Sequence, residues 1–292
     1  MSPGRRSAPP LRRPSRGWPW VALQVVLAGS LLLLFLLPIY ALFTYASPAE
    51  ILSAANNPAV REALWLTFYA SGVAVLAALA FAVPLGYLLA RHPFRGRSVV
   101  ESAVALPVVV PHLLVGLGIF LLVIPGTPLY RFTTAIGFPV YDTIWGVVLV
   151  MVFVSAPYTV LAADLSFRAV DPRVLEAARS LGAGPATAFL TVSFPLALRG
   201  IVAGLLLTWA RAVSEIGGIL ILAYTVYPGG IYGGPVTSTI SVLVYNLFES
   251  GNLAGAAAVS SVFLLIAFVL FLAVRVGERS GWVPWRRGEL LP

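Results

Sequence analysis

Six apolar stretches govern what this chain can become: residues 21–45, 63–90, 98–124, 143–165, 194–223 and 253–274. A helix needs roughly 20 apolar residues to cross the hydrocarbon core of a bilayer. The whole chain is 59% hydrophobic and 10% charged, whereas soluble domains carry about 25% charge. Such a sequence has too few polar positions to cover itself in water. It predicts an all-α integral membrane protein of six transmembrane helices, multi-pass in the cell membrane. The first stretch exceeds the apolar region of a signal peptide and is expected to be retained.

Nineteen basic residues and eleven acidic ones give a net charge of +8, which is compatible with nucleic acid or with anionic lipid. Their placement decides for lipid and against nucleic acid. When sides are alternated along the spans, sixteen arginines fall with the N-terminus. Arg61 and Arg131 fall opposite, and Arg211 lies inside a span. The positive-inside rule then places both termini in the cytoplasm. Residues 1–20 read as a Pro/Arg-rich tail, 21–275 as the transmembrane domain and 276–292 as a second tail. The first tail fits a solvated segment beside anionic lipid, or a docking segment for a cytoplasmic partner. On the other side, Gly229, Gly230, Gly233 and Gly234 precede an apolar patch at 240–248. They imply a turn and a short helix that either caps the bundle or meets an external partner.

Several chemistries are excluded. Every basic residue is arginine, so the lysine of a phosphate-binding loop is missing and the chain cannot be a P-loop ATPase. Cysteine is absent, and the two histidines, His92 and His112, have no H-E-x-x-H context or carboxylate cluster for a metal. No nucleophile elbow occurs. The chain reads as a non-enzyme that needs no cofactor of its own.

The loop after the fourth stretch carries the strongest functional signal. Asp171 suits an N-cap, Pro172 the first helical position, and Gly182 and Gly184 a stop. Glu176 is expected early in this helix, near its positive end. Pro185 opens a second short helix, so residues 171–193 predict a helix, a break and a helix on the cytoplasmic face. Ala177 and Ala178 leave room for close approach by a partner surface.

Glu176-Ala177-Ala178, three residues, Gly182, nine residues, then Val192-Ser193-Phe194-Pro195 resembles the EAA signature of ABC importer permeases, E-A-A-x3-G-x9-I-x-L-P. Val192 and Phe194 depart from it conservatively. The resemblance runs from about residue 63 to 274, and residues 87–97 and 106–111 are also similar to that family. It implies a homodimer of permeases around a central pathway, two cytoplasmic ATP-binding subunits that hold ATP and magnesium, and an extracellular solute-binding protein. In that family the EAA region forms the coupling helices, which assigns Glu176, Ala177, Ala178, Gly182 and Pro195 to ATPase coupling. Residues 210–217, Ala-Arg-Ala-Val-Ser-Glu-Ile-Gly, and residues 107–112, Pro-Val-Val-Val-Pro-His, are similar to the molybdate and tungstate branch. Sulfate or another anion is the alternative cargo, and an ion-coupled secondary transporter the alternative mechanism.

Arg211 and Glu215 are an ionisable pair inside a span, four residues apart and so on one helical face. Such groups are costly in a membrane unless paired or facing water. With Thr208 and Ser214 they are expected to line the pathway or a gate. A self-neutralising pair fits gating better than oxyanion capture, because conduction needs weak sites. Gly200 and Gly204 predict close helix packing, and Pro84, Pro107 and Pro111 predict kinks or broken helices.

Overall fold

A computed structural model of the chain describes residues 18–227 and 236–279. Most of both tails and the glycine-rich turn at 229–234 lie outside the described residues.

Among the described residues, five helices are long and apolar enough to cross a bilayer, or six if one sharply bent pair counts as a single span. The first is α1, Trp18–Tyr45, followed by a short surface helix α2, Pro48–Asn56. Ser47 and Glu50 close a capping box on α2, each side chain bonding the other residue's backbone N–H. The second spanning unit joins α3, Pro58–Ala77, to α4, Val83–Arg91, through a π-helical turn at Ala78–Ala82. It begins five residues before the expected start at residue 63, because Asn57 caps its N-terminus and Pro58 occupies its first position.

The third stretch is not a straight helix. It divides into α5, Arg97–Val109, and α6, His112–Val123, bent by 111° at Val110 and Pro111. Proline at 111 cannot donate the hydrogen bond that would continue the ladder, which turns the expected kink into a break. A short helix α7, Pro128–Ala135, then leads to α8, Ile144–Ala169, the central post of the fold. Helices α3 and α4, and the later α11, Phe194–Val213, all pack on α8.

The segment after the fourth apolar stretch forms α9, Pro172–Ser180, and a single turn α10, Pro185–Ala188. A second π-helical turn, Phe189–Ser193, carries α10 directly into α11, Phe194–Val213. The second short helix therefore belongs to the spanning unit Pro185–Val213 rather than standing apart from it. The fifth span also ends ten residues earlier than its apolar content implied. The chain breaks at 214–216 and restarts as α12, Gly217–Leu222. The expected short helix is α13, Ile240–Glu249, and α14, Leu253–Arg279, is the last helix among the described residues.

Both π turns have the same local cause. Each is followed at the second residue of the next helix by a proline, Pro84 after the first and Pro195 after the second. A proline nitrogen cannot bond the carbonyl four residues back, so a widened turn absorbs the missing bond. The α8 surface is small-featured to match its neighbours. A Cβ at Gly86 of α4 would stand 2.6 Å from Ala163 Cβ, and one at Gly204 of α11 would stand 2.5 Å from Ala162 Cβ. At Gly200 it would collide with Ser166. These close approaches are what the Gly200 and Gly204 spacing predicted.

Candidate functional site

The first candidate site is α9 and its surroundings. Asp171 Oδ1 accepts from Arg173 N at 2.9 Å, and Pro172 sits at the first helical position. At the other end Gly182 adopts φ +89°. Its N–H bonds Arg179 O at 2.9 Å, while Ala183 N bonds Ala178 O at 3.0 Å. That paired 5→2 and 6→1 pattern is a Schellman motif, and only glycine enters its left-handed position without strain. Nothing lies within 4 Å of where a Gly182 Cβ would be, so the glycine is required by backbone conformation and not by crowding.

Leu175 is buried and anchors α9, while Glu176 and Ala177 are exposed and Ala178 is half-buried. Glu176 stands in the second turn of α9, since the first turn carries no acid. It is therefore a surface group displaced from the helix's positive end, where the sequence pattern had placed it. Leu181 is 89% exposed at the tip. Pro195 is exposed at the start of α11, where it produces the second π turn.

The second candidate site lies where the broken spans meet. Helix α6 and helix α12 pack against each other, and a Cβ at Gly116 would run into the backbone of Gly218. A Cβ at Gly217 would come within 2.9 Å of His112 Cβ. These glycines let two short helix stubs touch at backbone distance. At their junction Arg211 Nη2 donates to Glu215 Oε2 at 2.8 Å. The same nitrogen lies 2.6 Å from His112 Nε2 and 2.8 Å from His112 Nδ1. His112 Nδ1 is 3.7 Å from Glu215 Oε2.

Glu215 is 1% exposed, and its Oε1 accepts from Gly218 N at 2.8 Å. Both carboxylate oxygens are thus engaged, as a buried acid in a membrane protein requires. Arg211 Nη1 reaches Ser214 Oγ at 3.3 Å, and the Ser214 hydroxyl donates to Arg211 O. The expected stripe divides at this level. Thr208 is fully buried against α8, donating to Ser155 O at 3.0 Å and bonded to Thr159 Oγ1 at 2.7 Å. It binds α11 to α8, whereas Arg211 and Glu215 turn toward α6.

His112 is the residue that local reasoning undervalued as a partner for this pair. It is 99 positions from Arg211, and the sequence signals were its place directly after Pro111 and its position in the 107–112 stretch that resembles the same branch as residues 210–217. Pro107 lies inside α5 and Pro111 at the break, so the same prolines that bend the third stretch bring His112 to Arg211. Among the described residues, no group of three or more His, Cys, Asp or Glu side chains forms a metal site.

Comparison with known proteins agrees with these observations. Residues 82–280 match the family described as binding-protein-dependent transport system inner membrane component. The molybdate/tungstate transport system permease protein WtpB of Pyrococcus abyssi is 36% identical over 250 residues, 85% of this chain and 91% of that protein. A probable molybdenum ABC transporter permease of Haloferax volcanii is 38% identical over 263 residues, 90% of this chain and 92% of that one. A probable sulfate transport system permease protein of Helicosporidium is 31% identical, covering 86% of this chain and 92% of that one.

The solved bacterial alginate ABC transporter contains a chain with a TM-score of 0.69 at 18% identity, covering 89% of this chain and 94% of that chain. The MetNI methionine ABC transporter gives 0.57 at 17% identity, with 76% and 94% covered. At such identities these two establish the shared fold alone. The apolar helices and the family match together make this a multi-pass protein of the cell membrane. The chain belongs to the binding-protein-dependent transport system inner membrane component family, the permeases of ABC importers.

Proposed function

We propose that this chain forms the substrate pathway of an importer for molybdate or tungstate. Two copies would surround the pathway, with separate ATP-hydrolysing subunits on the α9 side and a solute-binding protein opposite. The observation that carries the mechanical part is α9: an exposed helix, capped at both ends, between two spanning helices and joined to α11 through α10 and a π turn. A short rigid helix on one face of a bundle is a handle that a partner can move without unfolding it. The cargo reading is supported by the molybdate and tungstate permeases, 36–38% identical to this chain over most of its length.

In this reading the chain crosses the membrane six times with both termini in the cytoplasm, and residues 21–275 form the permease domain between two tails. ATP and magnesium are bound by the partner subunits. Glu176, Ala177, Ala178, Gly182 and Pro195 serve coupling. Arg211, Glu215 and Ser214 serve the gate, with Thr208 supporting α11 from behind. Pro84, Pro107 and Pro111 set the bends that the gate needs.

Reconstitution of the chain with its ATP-binding subunit and binding protein in liposomes tests this. Tungstate and molybdate uptake should require ATP on the α9 side and should stop when Glu176→Ala weakens the ATPase contact. Sulfate carried in preference to both would transfer the chain to the sulfate reading, which the 31% identical sulfate permease favours. Uptake by this chain alone, driven by an ion gradient, would defeat the ABC reading. The chain has no cysteine, so single thiols report its sidedness. An impermeant reagent outside the cell should label Ser53→Cys and spare Ser98→Cys.

A further inference from the structure

The last turn of α4 touches both roots of the coupling segment. Arg91 Nη2 donates to Val170 O at 2.7 Å, and Val170 immediately precedes the Asp171 cap of α9. One helical turn back, the Tyr87 ring meets Phe189 edge-on at a centroid distance of 4.7 Å. Phe189 is the first residue after α10. Tyr87 also meets Phe167 edge-on at 5.0 Å, and Phe167, fully buried at the end of α8, lies 5.9 Å from Phe189. Residues four apart share one face of a helix, so a single face of α4 holds the segment where it enters and where it leaves.

This grip is stiff by construction. The three rings form a closed triangle in which each contacts the other two, and edge-to-face aromatic contacts add to simple burial. Gly86, between Tyr87 and the π turn, seats α4 against Val160 and Ala163 of α8. The guanidinium of Arg91 is partly sunk into the same region, with its Nε buried and unbonded among the described residues. Holding a charged group there is costly, which argues for a positioning purpose beyond filling space. Above this rigid zone the second spanning unit is interrupted by the π turn at Ala78–Ala82, and π turns are places where helices bend.

We propose that Tyr87 and Arg91 are positioning residues that carry displacement of the α9–α10 segment into the second spanning unit. That unit swings as one body with the coupling segment and bends at Ala78–Ala82. This rests on the reading that α9 engages an ATPase. It assigns the transmission to α4 in addition to the covalent route through α11. Loss of the Arg91 bond or of the Tyr87 ring leaves nucleotide hydrolysis running while the membrane domain no longer follows.

The test uses the complete importer in liposomes and reads ATP hydrolysed per tungstate imported. Arg91→Met and Tyr87→Ala are expected to raise that ratio about tenfold, the equivalent of losing about 1.4 kcal/mol of coupling. Arg91→Lys, which keeps a donor, and Tyr87→Phe, which keeps the ring, should stay near the wild-type ratio. A wild-type ratio in Arg91→Met and Tyr87→Ala would overturn the proposal. Equal failure of all four variants would also overturn it, because it would indicate assembly rather than transmission.

A second measurement is independent of cargo and leaves Tyr87 and Arg91 intact. Spin labels at Arg95→Cys and Leu190→Cys in this thiol-free chain, with the labelled chain diluted into an excess of unlabelled chain so that only one copy per complex is labelled, should give one narrow distance, unchanged between nucleotide-free and ATP-trapped complexes. A distance that changes between those states rules out a rigid unit. If the wild-type importer carries neither tungstate nor molybdate, the cargo reading fails, and this distance still decides the inference.

Discussion

Arg211 Nη2 stands 2.6 Å from His112 Nε2 across 99 positions of sequence, joining the start of α6 to the end of α11. Both helices stop or start at breaks in their spans, so this contact ties two interruptions into one junction. Glu215 completes it by holding Arg211 on one oxygen and the first turn of α12 on the other.

Replacing Glu215 by leucine should destabilise the junction strongly. It leaves Arg211 without its carboxylate and Gly218 N without an acceptor, and breaking a buried pair from one side costs about 3–5 kcal/mol. Glu215→Gln, which keeps an acceptor for Gly218 N, should lose less. Thermal unfolding of the detergent-solubilised complex orders the two variants. Equal stability of Glu215→Leu and wild type would refute the structural importance of the junction.

Gly182→Ala should damage coupling while sparing membrane insertion. The φ of +89° forces the new Cβ into left-handed strain of about 1–2 kcal/mol, which frays the end of α9. Co-purification of the ATP-binding subunit is expected to fall while the amount of chain in the membrane is unchanged.

Gly204→Val should wedge α11 from α8, because even one added carbon meets Ala162 Cβ at 2.5 Å. Overpacking of this kind typically costs about 1–3 kcal/mol. A lower melting temperature is the expected reading, with Gly118→Val, where a Cβ meets nothing within 4 Å, as the tolerated control.

Two carboxylates outside the spanning helices should respond to pH with opposite sign. Bonds from the backbone and hydroxyl of Ser47 hold Glu50 below its ordinary value of 4.5. Its folded form binds protons less readily than its unfolded form, so its contribution is present above 4.5 and fades as pH falls through the lower folded value. Glu50→Gln should be less stable than wild type at neutral pH and should converge with it in acid.

Burial pushes Asp142 above its ordinary 3.8, against hydrogen bonds from Tyr141 and Thr225. Its contribution is full below 3.8 and is lost as pH rises through the raised folded value. Asp142→Asn should match wild type in acid and exceed it at neutral pH. Asparagine also accepts the positive φ of 52° found there. Melting curves at both pH values distinguish these outcomes, and identical pH slopes in variant and wild type would contradict them.

Much of this architecture was legible in the residues because its causes are local. Apolar length marked the spanning helices. Asp171, Pro172 and Gly182 marked the ends of α9, and Gly200 with Gly204 marked the close face on α8. Local pattern failed at the third and fifth stretches, where composition stays apolar through each break. Hydrophobicity reports whether a segment prefers lipid, and it is blind to whether that segment is straight. Thr208 was grouped with Arg211 by spacing alone, although its hydroxyl turns to Thr159. The small helices α2 and α7 escaped notice because neither carries an apolar run long enough to register beside the spans.

By itself, then, the amino-acid order determined that this chain lives in a bilayer as a set of apolar helices, and that a capped helix sits between two of them. Chain length, apolar run and end-caps act over a few residues and need no neighbour. Tertiary structure alone decided that α6 and α12 meet as stubs, that His112 joins Arg211 and Glu215, and that α4 contacts both ends of the α9–α10 segment. Each of those contacts spans scores of residues, and it exists only after the close approach of glycines at 86, 116 and 218 has brought separate backbones together.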